Sequence, residues 1–128
     1  MPARELQPGM SFEWKRDITE EDIRLFTEIS GDRGVHHTRK DPQDRLLAQG
    51  LLTATMPTKL GGDLDFLART MSFEFLAPVY SGDVLACRGV VDSIVAQTTR
   101  WKVKLSFVVV NQAGTSVMKG FSIGMILR

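Results

Sequence analysis

Both histidines of this chain fall in one short segment, Ser30-Gly31-Asp32-Arg33-Gly34-Val35-His36-His37, with a carboxylate five residues before the second of them. An imidazole and a carboxylate that converge on one water can orient it and take its proton, the pairing that general acid–base chemistry near neutral pH requires. Asp32 and His37 are therefore the candidate catalytic pair. The same residues also have a plainer use, in which Asp32 caps a turn and the imidazoles lie on a solvated loop. A second feature is Gln49-Gly50 at the head of an apolar run. A backbone N–H in the first turn of a helix, with no side chain in the way, can hold the oxygen of a thioester or another carbonyl. The plainer use of Gly50 is close packing of the helix.

These groups need elements to hold them. Thr19-Glu20-Glu21-Asp22 places a hydroxyl before a run of acids, a capping arrangement that also suits the positive end of a helix dipole. A helix is expected from Glu20 to Ser30, with Ile23, Phe26 and Ile29 on its apolar face, Leu25 beside them and Gly31 as a left-handed terminator. A second helix is expected from Gly50 to Leu60, apolar on most sides and hence buried, with Pro57 kinking or shortening its last turns and Gly61-Gly62-Asp63 ending it. Before them, Ser11 to Lys15 alternates as a short edge strand. From Arg69 the period becomes two: Met71, Phe73 and Phe75, then Val84 to Val95, then Trp101 to Val109, then a strand from Ser116 to Leu127 after the turn Asn111-Gln112-Ala113-Gly114. Gly120 and Gly124 in the last strand mark a bulge or the close approach of another backbone. The expected class is α+β, one antiparallel sheet of about five strands with one long buried helix and a smaller flanking one.

Composition narrows the possibilities. With 128 residues, 43% of them hydrophobic, residues 1–128 read as a single domain. Sixteen basic residues against fifteen acidic ones leave a formal charge of +1, which gives no footprint for nucleic acid or an anionic membrane. Cys87 is the single cysteine, so no intramolecular disulfide and no cysteine-rich zinc site is expected, and the compartment is read as the reducing cytoplasm. The polar segment from Met1 to Gln7 lacks the apolar core of a secretory signal, and no run reaches the roughly 20 apolar residues of a membrane span. Two adjacent histidines and scattered carboxylates give no metal-ligand spacing. Arg100, Lys102 and Lys104 form a cationic strand face, solvated or set against phosphates. Asp63, Asp65 and Asp83 read as turn residues, and Cys87 as an inert buried thiol.

The stretch from Ser30-Gly31-Asp32 to His37 resembles the motif S-G-D-x-N-P-x-H of the MaoC-like (R)-specific enoyl-CoA hydratases, and Phe75-Leu76-Ala77-Pro78-Val79-Tyr80-Ser81-Gly82-Asp83-Val84-Leu85 is similar to that family's passage F-x-x-P-V-x-x-G-D-x-L. The resemblance spans most of the chain. It implies a hotdog fold, a sheet wrapped around a long central helix, usually a homodimer or a dimer of dimers, with an acyl thioester in a tunnel near the subunit boundary. It implies reversible addition of water to the C2=C3 bond of a trans-2-enoyl thioester of coenzyme A or acyl carrier protein, with no further cofactor. Asp32 would be the general base, His37 would position the water and share the proton transfer, and the Gly50 N–H would hold the thioester oxygen. Gln49 and Thr58 fall on substrate-binding positions, and Met56 and Leu60, with Leu64 and Phe66, would set the pocket's depth.

This chain departs from the pattern at definite places. Gly34-Val35 stands where the motif has Asn-Pro, Gln49 where the helix is usually opened by His-Gly, and Thr58 where a serine is common, one residue after Pro57. His36 beside His37 leaves two registers for the imidazole. An acyl-CoA thioesterase is the enzymatic rival. It would have to use Thr53, Thr55 or Thr58 with His37, because Gly50 to Leu60 carries no carboxylate of the kind hotdog thioesterases place there. A non-catalytic acyl-thioester-binding module is the third reading.

Overall fold

The computed structural model describes residues 6–128; Met1–Glu5, most of the polar N-terminal segment, lie outside the described residues. The chain runs β1 (Ser11–Asp17), α1 (Glu20–Ser30), α2 (Val35–Thr38), α3 (Gly50–Thr53), α4 (Thr55–Asp63), β2 (Leu67–Phe75), β3 (Val84–Ala96), β4 (Arg100–Val110) and β5 (Ser116–Leu127). Five strands make one antiparallel sheet in the order β1-β3-β4-β5-β2, so β1 is an edge as expected and β2 is the other. Alternation along the strands puts Leu85, Cys87, Phe107, Val109 and Met118 on one face, where they form a single core with Ile23, Leu52, Met56 and Leu60 of the helices. Arg100, Lys102 and Lys104 alternate with Val103 and Leu105 and lie on the opposite, helix-free face.

Helix α1 has the expected bounds. Its Thr19 hydroxyl accepts the Asp22 N–H and the Asp22 carboxylate accepts the Thr19 N–H, while Gly31 closes it at φ 73°. Its inward stripe is Ile23 and Thr27, both buried, with Phe26 half-buried beside them. Ile29 and Leu25 are 83% and 52% exposed, a correction to the expected face. Counted from Ile23, positions three and four along share its side of the helix, and those two and six along do not.

The expected central helix is not continuous. It breaks at Ala54 into α3, a single turn, and α4, which runs on to Asp63. Pro57 explains the place of the break: it has no N–H for the Thr53 carbonyl four residues earlier, and its ring crowds that carbonyl. The break therefore falls upstream of the proline, where a kink in the last turns was expected. Side-chain hydroxyls serve the disturbed backbone, Thr55 donating to the Leu52 carbonyl at 2.6 Å and Thr58 to the Ala54 carbonyl at 2.9 Å. The two strand glycines behave as their positions suggest. A Cβ at Gly120 or Gly124 would fall onto the backbone of β2, which pairs with β5 through a register shift between Ala68 and Thr70.

The α1 cap ties into β1 through Arg16, whose guanidinium lies 2.8 Å from Asp22. Burial alone would raise the Asp22 carboxyl, but the Thr19 N–H and hydroxyl together with Arg16 hold it below the ordinary carboxylate value. A carboxyl depressed in the folded state stabilises the fold above its unfolded value, and that contribution disappears as the pH falls through the folded one. Asp22→Asn is expected to lower stability at pH 7 by about 1 kcal/mol and to flatten the loss of stability below about pH 4, measured by denaturant midpoints across that range.

Candidate active site

The segment after α1 turns sharply so that its polar groups face α3. The Asp32 N–H donates to the Ser30 hydroxyl at 3.0 Å, and Asp32 Oδ1 accepts the Gly34 N–H at 3.1 Å. That Asx turn feeds the single turn α2, which carries both histidines. His37 is buried and His36 is exposed, which settles the register: His37 is the imidazole held against the body of the protein.

His37 Nδ1 lies 2.6 Å from the Leu47 carbonyl oxygen. A carbonyl only accepts, so Nδ1 carries the proton, and in the neutral form of the ring Nε2 is left as an acceptor. Nε2 stands 3.4 Å from Asp32 Oδ2. That is long for a strong hydrogen bond, and it leaves two acceptors facing one gap. Leu47 is itself fixed: its N–H donates to the His36 carbonyl at 3.0 Å, the Ala48 N–H to the Val79 carbonyl at 2.8 Å, and the Ser81 N–H to the Leu46 carbonyl at 2.9 Å. The Arg45 guanidinium stacks on Tyr80 at 3.7 Å from the ring centre. The expected strand–loop–strand passage thus grips the loop that orients His37.

Asp32, His37, Gln49 and Gly50 line one cleft of about 680 Å³, whose other walls include Phe26, Phe75 and Val79. Gly50 is the first residue of α3, where helix geometry leaves its N–H without an intrahelical partner, and no backbone acceptor for it is found among the described residues. Since α3 is one turn long, what it offers is an individual N–H and little dipole. Gly50 also has the packing use: a Cβ there would lie 2.8 Å from Cε1 of Phe75, whose ring covers this end of the helix.

Gln49 is 3% exposed, and its amide nitrogen donates inward, to the Thr27 hydroxyl at 2.9 Å and the Ile23 carbonyl at 3.3 Å. Its NH2 clamps α1 to α3 and is not offered to a ligand. Its Oε1 is buried with no partner. Flipping the amide would set that oxygen against the Ile23 carbonyl, so the orphan is the better arrangement.

The remaining candidates lie elsewhere. Met56 is fully buried in the core, its carbonyl accepting the Trp14 indole N–H at 2.8 Å. Thr58 and Leu60 line a second, apolar cavity of about 160 Å³ with Phe66, Met71 and Phe107, which shares no lining residue with the cleft. They were expected beside the acyl group. The cleft opens at the head of α3, and Thr58, eight residues after Gly50, lies about 12 Å farther along at 1.5 Å per residue. Leu64 is buried in a satellite core. Cys87 is buried in β3, and burial pushes its thiol up to about 12, so it is no nucleophile. Asp83 is a turn residue, accepting the Tyr80 N–H and the Gln112 amide at 2.9 Å each. Sequence reasoning missed the Leu47 carbonyl, which has no side-chain signal, and gave no reason to set Phe75 over Gly50.

No protein-family profile and no curated protein sequence matches the chain. Solved structures do. The (R)-hydratase PhaJ1 from Pseudomonas aeruginosa superposes with a TM-score of 0.83 at 26% identity, over 95% of this chain and 83% of that one. The (R)-hydratase from A. caviae involved in PHA biosynthesis gives 0.81 at 19% identity, over 95% and 98%. A MaoC-like dehydratase from Rhodospirillum rubrum gives 0.79 at 19%, over 98% and 96%. The fold is that of the MaoC-like hotdog family. In this MaoC-like fold the sheet wraps a central helix as expected, although here the helix is in two pieces.

The packing use of Gly50 is separable from its N–H. Gly50→Ala keeps the N–H and adds a methyl that the Phe75 ring must escape, so we expect a loss of about 1–2 kcal/mol in denaturant unfolding. Adding Phe75→Leu is expected to recover most of it; additive losses would show that the two residues do not share this contact.

Proposed function

We propose that this chain catalyses the reversible addition of water across the C2=C3 bond of a trans-2-enoyl thioester, as an (R)-specific hydratase or dehydratase. One observation carries the reading: a tautomer-fixed imidazole and a carboxylate, Nε2 and Oδ2 3.4 Å apart, open onto a cleft that also holds the free N–H of Gly50. A water caught between two acceptors gives both its hydrogens to them, which leaves a lone pair directed at the substrate. As its oxygen bonds to C3, Asp32 takes one proton, the C2=C3 pair shifts toward C2, and the thioester oxygen gains negative charge. The Gly50 N–H meets that charge, an interaction stronger in the transition state than in the bound substrate. Return of the proton to C2 completes the addition and restores the pair. No cofactor enters, and coenzyme A or acyl carrier protein is the substrate's handle. We place the activity in the cytoplasm, in keeping with a lone, buried cysteine.

The hydrolytic alternative finds less support. The Thr55 and Thr58 hydroxyls already donate to helix carbonyls, and only Thr53 of the three lines the cleft. Crotonyl-CoA tests the choice. Its conjugated absorbance is expected to fall without release of free thiol, and Asp32→Asn or His37→Ala is expected to lower the rate by about a hundredfold or more. Thiol release would make the protein a thioesterase, and binding of the thioester without turnover would make it a binding module.

We further propose a homodimer. Strand β2 is an unpaired nine-residue edge, and Leu67, Met71, Phe75 and Leu76 on or beside it are exposed although apolar. Phe75 and Leu76 also wall the cleft, so a second copy against this edge would close it. Light scattering is expected to give twice 14.3 kDa, and Met71→Lys to shift the mass toward the monomer.

A further inference from the structure

We infer that His36 is a positioning residue of this site, a ring that braces the Asp32–His37 pair and occupies the space that residue 34 leaves free. Its kinetic consequences rest on the hydratase reading; its geometry does not. The His36 and His37 rings meet edge to face, their centres 4.1 Å apart and their planes at 67°. A Cβ on Gly34 would lie 3.2 Å from Cε1 and 3.3 Å from Nε2 of His36, and 3.3 Å from Asp32 Oδ1. Ring and carboxylate therefore close on the same point, and a side chain at 34 would push one of them aside. Gly34 has φ −52° and ψ 141°, a conformation open to other residues, so the backbone does not demand glycine here. What the site uses is the missing side chain.

The need for a brace follows from the surroundings. The Asp32 side chain is half exposed, and Gly34-Val35 stands where the similar motif has the stiffer Asn-Pro. His36 touches the flanks of both partners: the His37 ring on one side, and the Gly34 turn that presents Asp32 Oδ1 on the other. Its own backbone is anchored, since its carbonyl accepts the Leu47 N–H at 3.0 Å, and Leu47 is the residue that fixes the His37 tautomer. A planar ring at 36, itself in the wall of the cleft, thus couples the orientation of the carboxylate to that of the imidazole from beside the reacting groups.

The test is a set of variants assayed with crotonyl-CoA. His36→Ala is expected to lower kcat about tenfold with KM within about twofold, because misalignment of the pair affects the chemical step. His36→Phe keeps a ring and is expected to restore kcat to within about threefold of the unaltered protein. Gly34→Ala is expected to lower kcat as well, and the double variant Gly34→Ala/His36→Ala to be no worse than the worse single one. Unchanged turnover in His36→Ala, failure of Phe to rescue, or additive losses would overturn the inference. If the unaltered protein turns over no enoyl thioester, the hydratase reading falls alone, and melting temperatures judge the brace. Alanine at a permitted glycine position restricts the unfolded chain, so Gly34→Ala is expected to raise Tm by about 2–4 °C in the His36→Ala background and by much less when the ring is present. An equal rise in both backgrounds would overturn the inference.

Discussion

The bond from His37 Nδ1–H to the Leu47 carbonyl decides what the rest of the site can do. It selects the tautomer, turns Nε2 into an acceptor, and sets that acceptor opposite a carboxylate, where an imidazole with the other tautomer would merely donate to it. The bond depends on where Leu47 sits, and Leu47 sits where the Val79–Ser81 segment pairs with Leu46–Ala48. That segment is in turn fixed from both sides. Asp83 holds the turn at Tyr80, and Gly82, at φ 94°, lets its N–H reach the Ile18 carbonyl at 2.7 Å, next to the α1 cap. A chain of hydrogen bonds therefore runs from the start of α1 through the strand–loop passage to His37 Nδ1.

Much of this arrangement can be read from side chains. The α1 bounds follow from Thr19, the three acids and Gly31, because caps act within one turn of the residues that make them. The pairing of β4 with β5 follows from two alternating strands joined by the Asn111–Gly114 turn. Asp32 and His37 were legible because carboxylate and imidazole declare their chemistry by type. What was not legible lies in the backbone or in tertiary context: the Leu47 carbonyl could belong to any residue, and the exposure of Leu25 and Ile29 depends on which stripe of α1 the sheet leaves room for. Phe75 looks like any core aromatic until its edge strand places it over Gly50.

The broken central helix shows how one local rule acts at a distance along the chain. Pro57 interrupts the hydrogen-bond ladder after the first turn, and Thr58 and Leu60 of α4 line a separate apolar cavity. The proline was visible in the sequence; its effect was misplaced by three residues because the missing bond belongs to the carbonyl four positions earlier.

Gln49 shows why the departures from the motif need not be read as losses. A buried amide that makes two donations and leaves its oxygen without a partner is an expensive choice in a core, since an unsatisfied buried acceptor costs about 1–3 kcal/mol. The donations reach Thr27 and Ile23, so the amide fixes the distance between α1, whose C-terminus launches Asp32, and α3, whose first N–H is Gly50. An imidazole in its place would present donors of different reach, and the spacing of carboxylate and N–H across the cleft would have to be set some other way. In the proposed hydration, a site that holds a water at the carboxylate and a thioester oxygen at the N–H depends on that spacing, because both halves of the chemistry fail if either is misplaced.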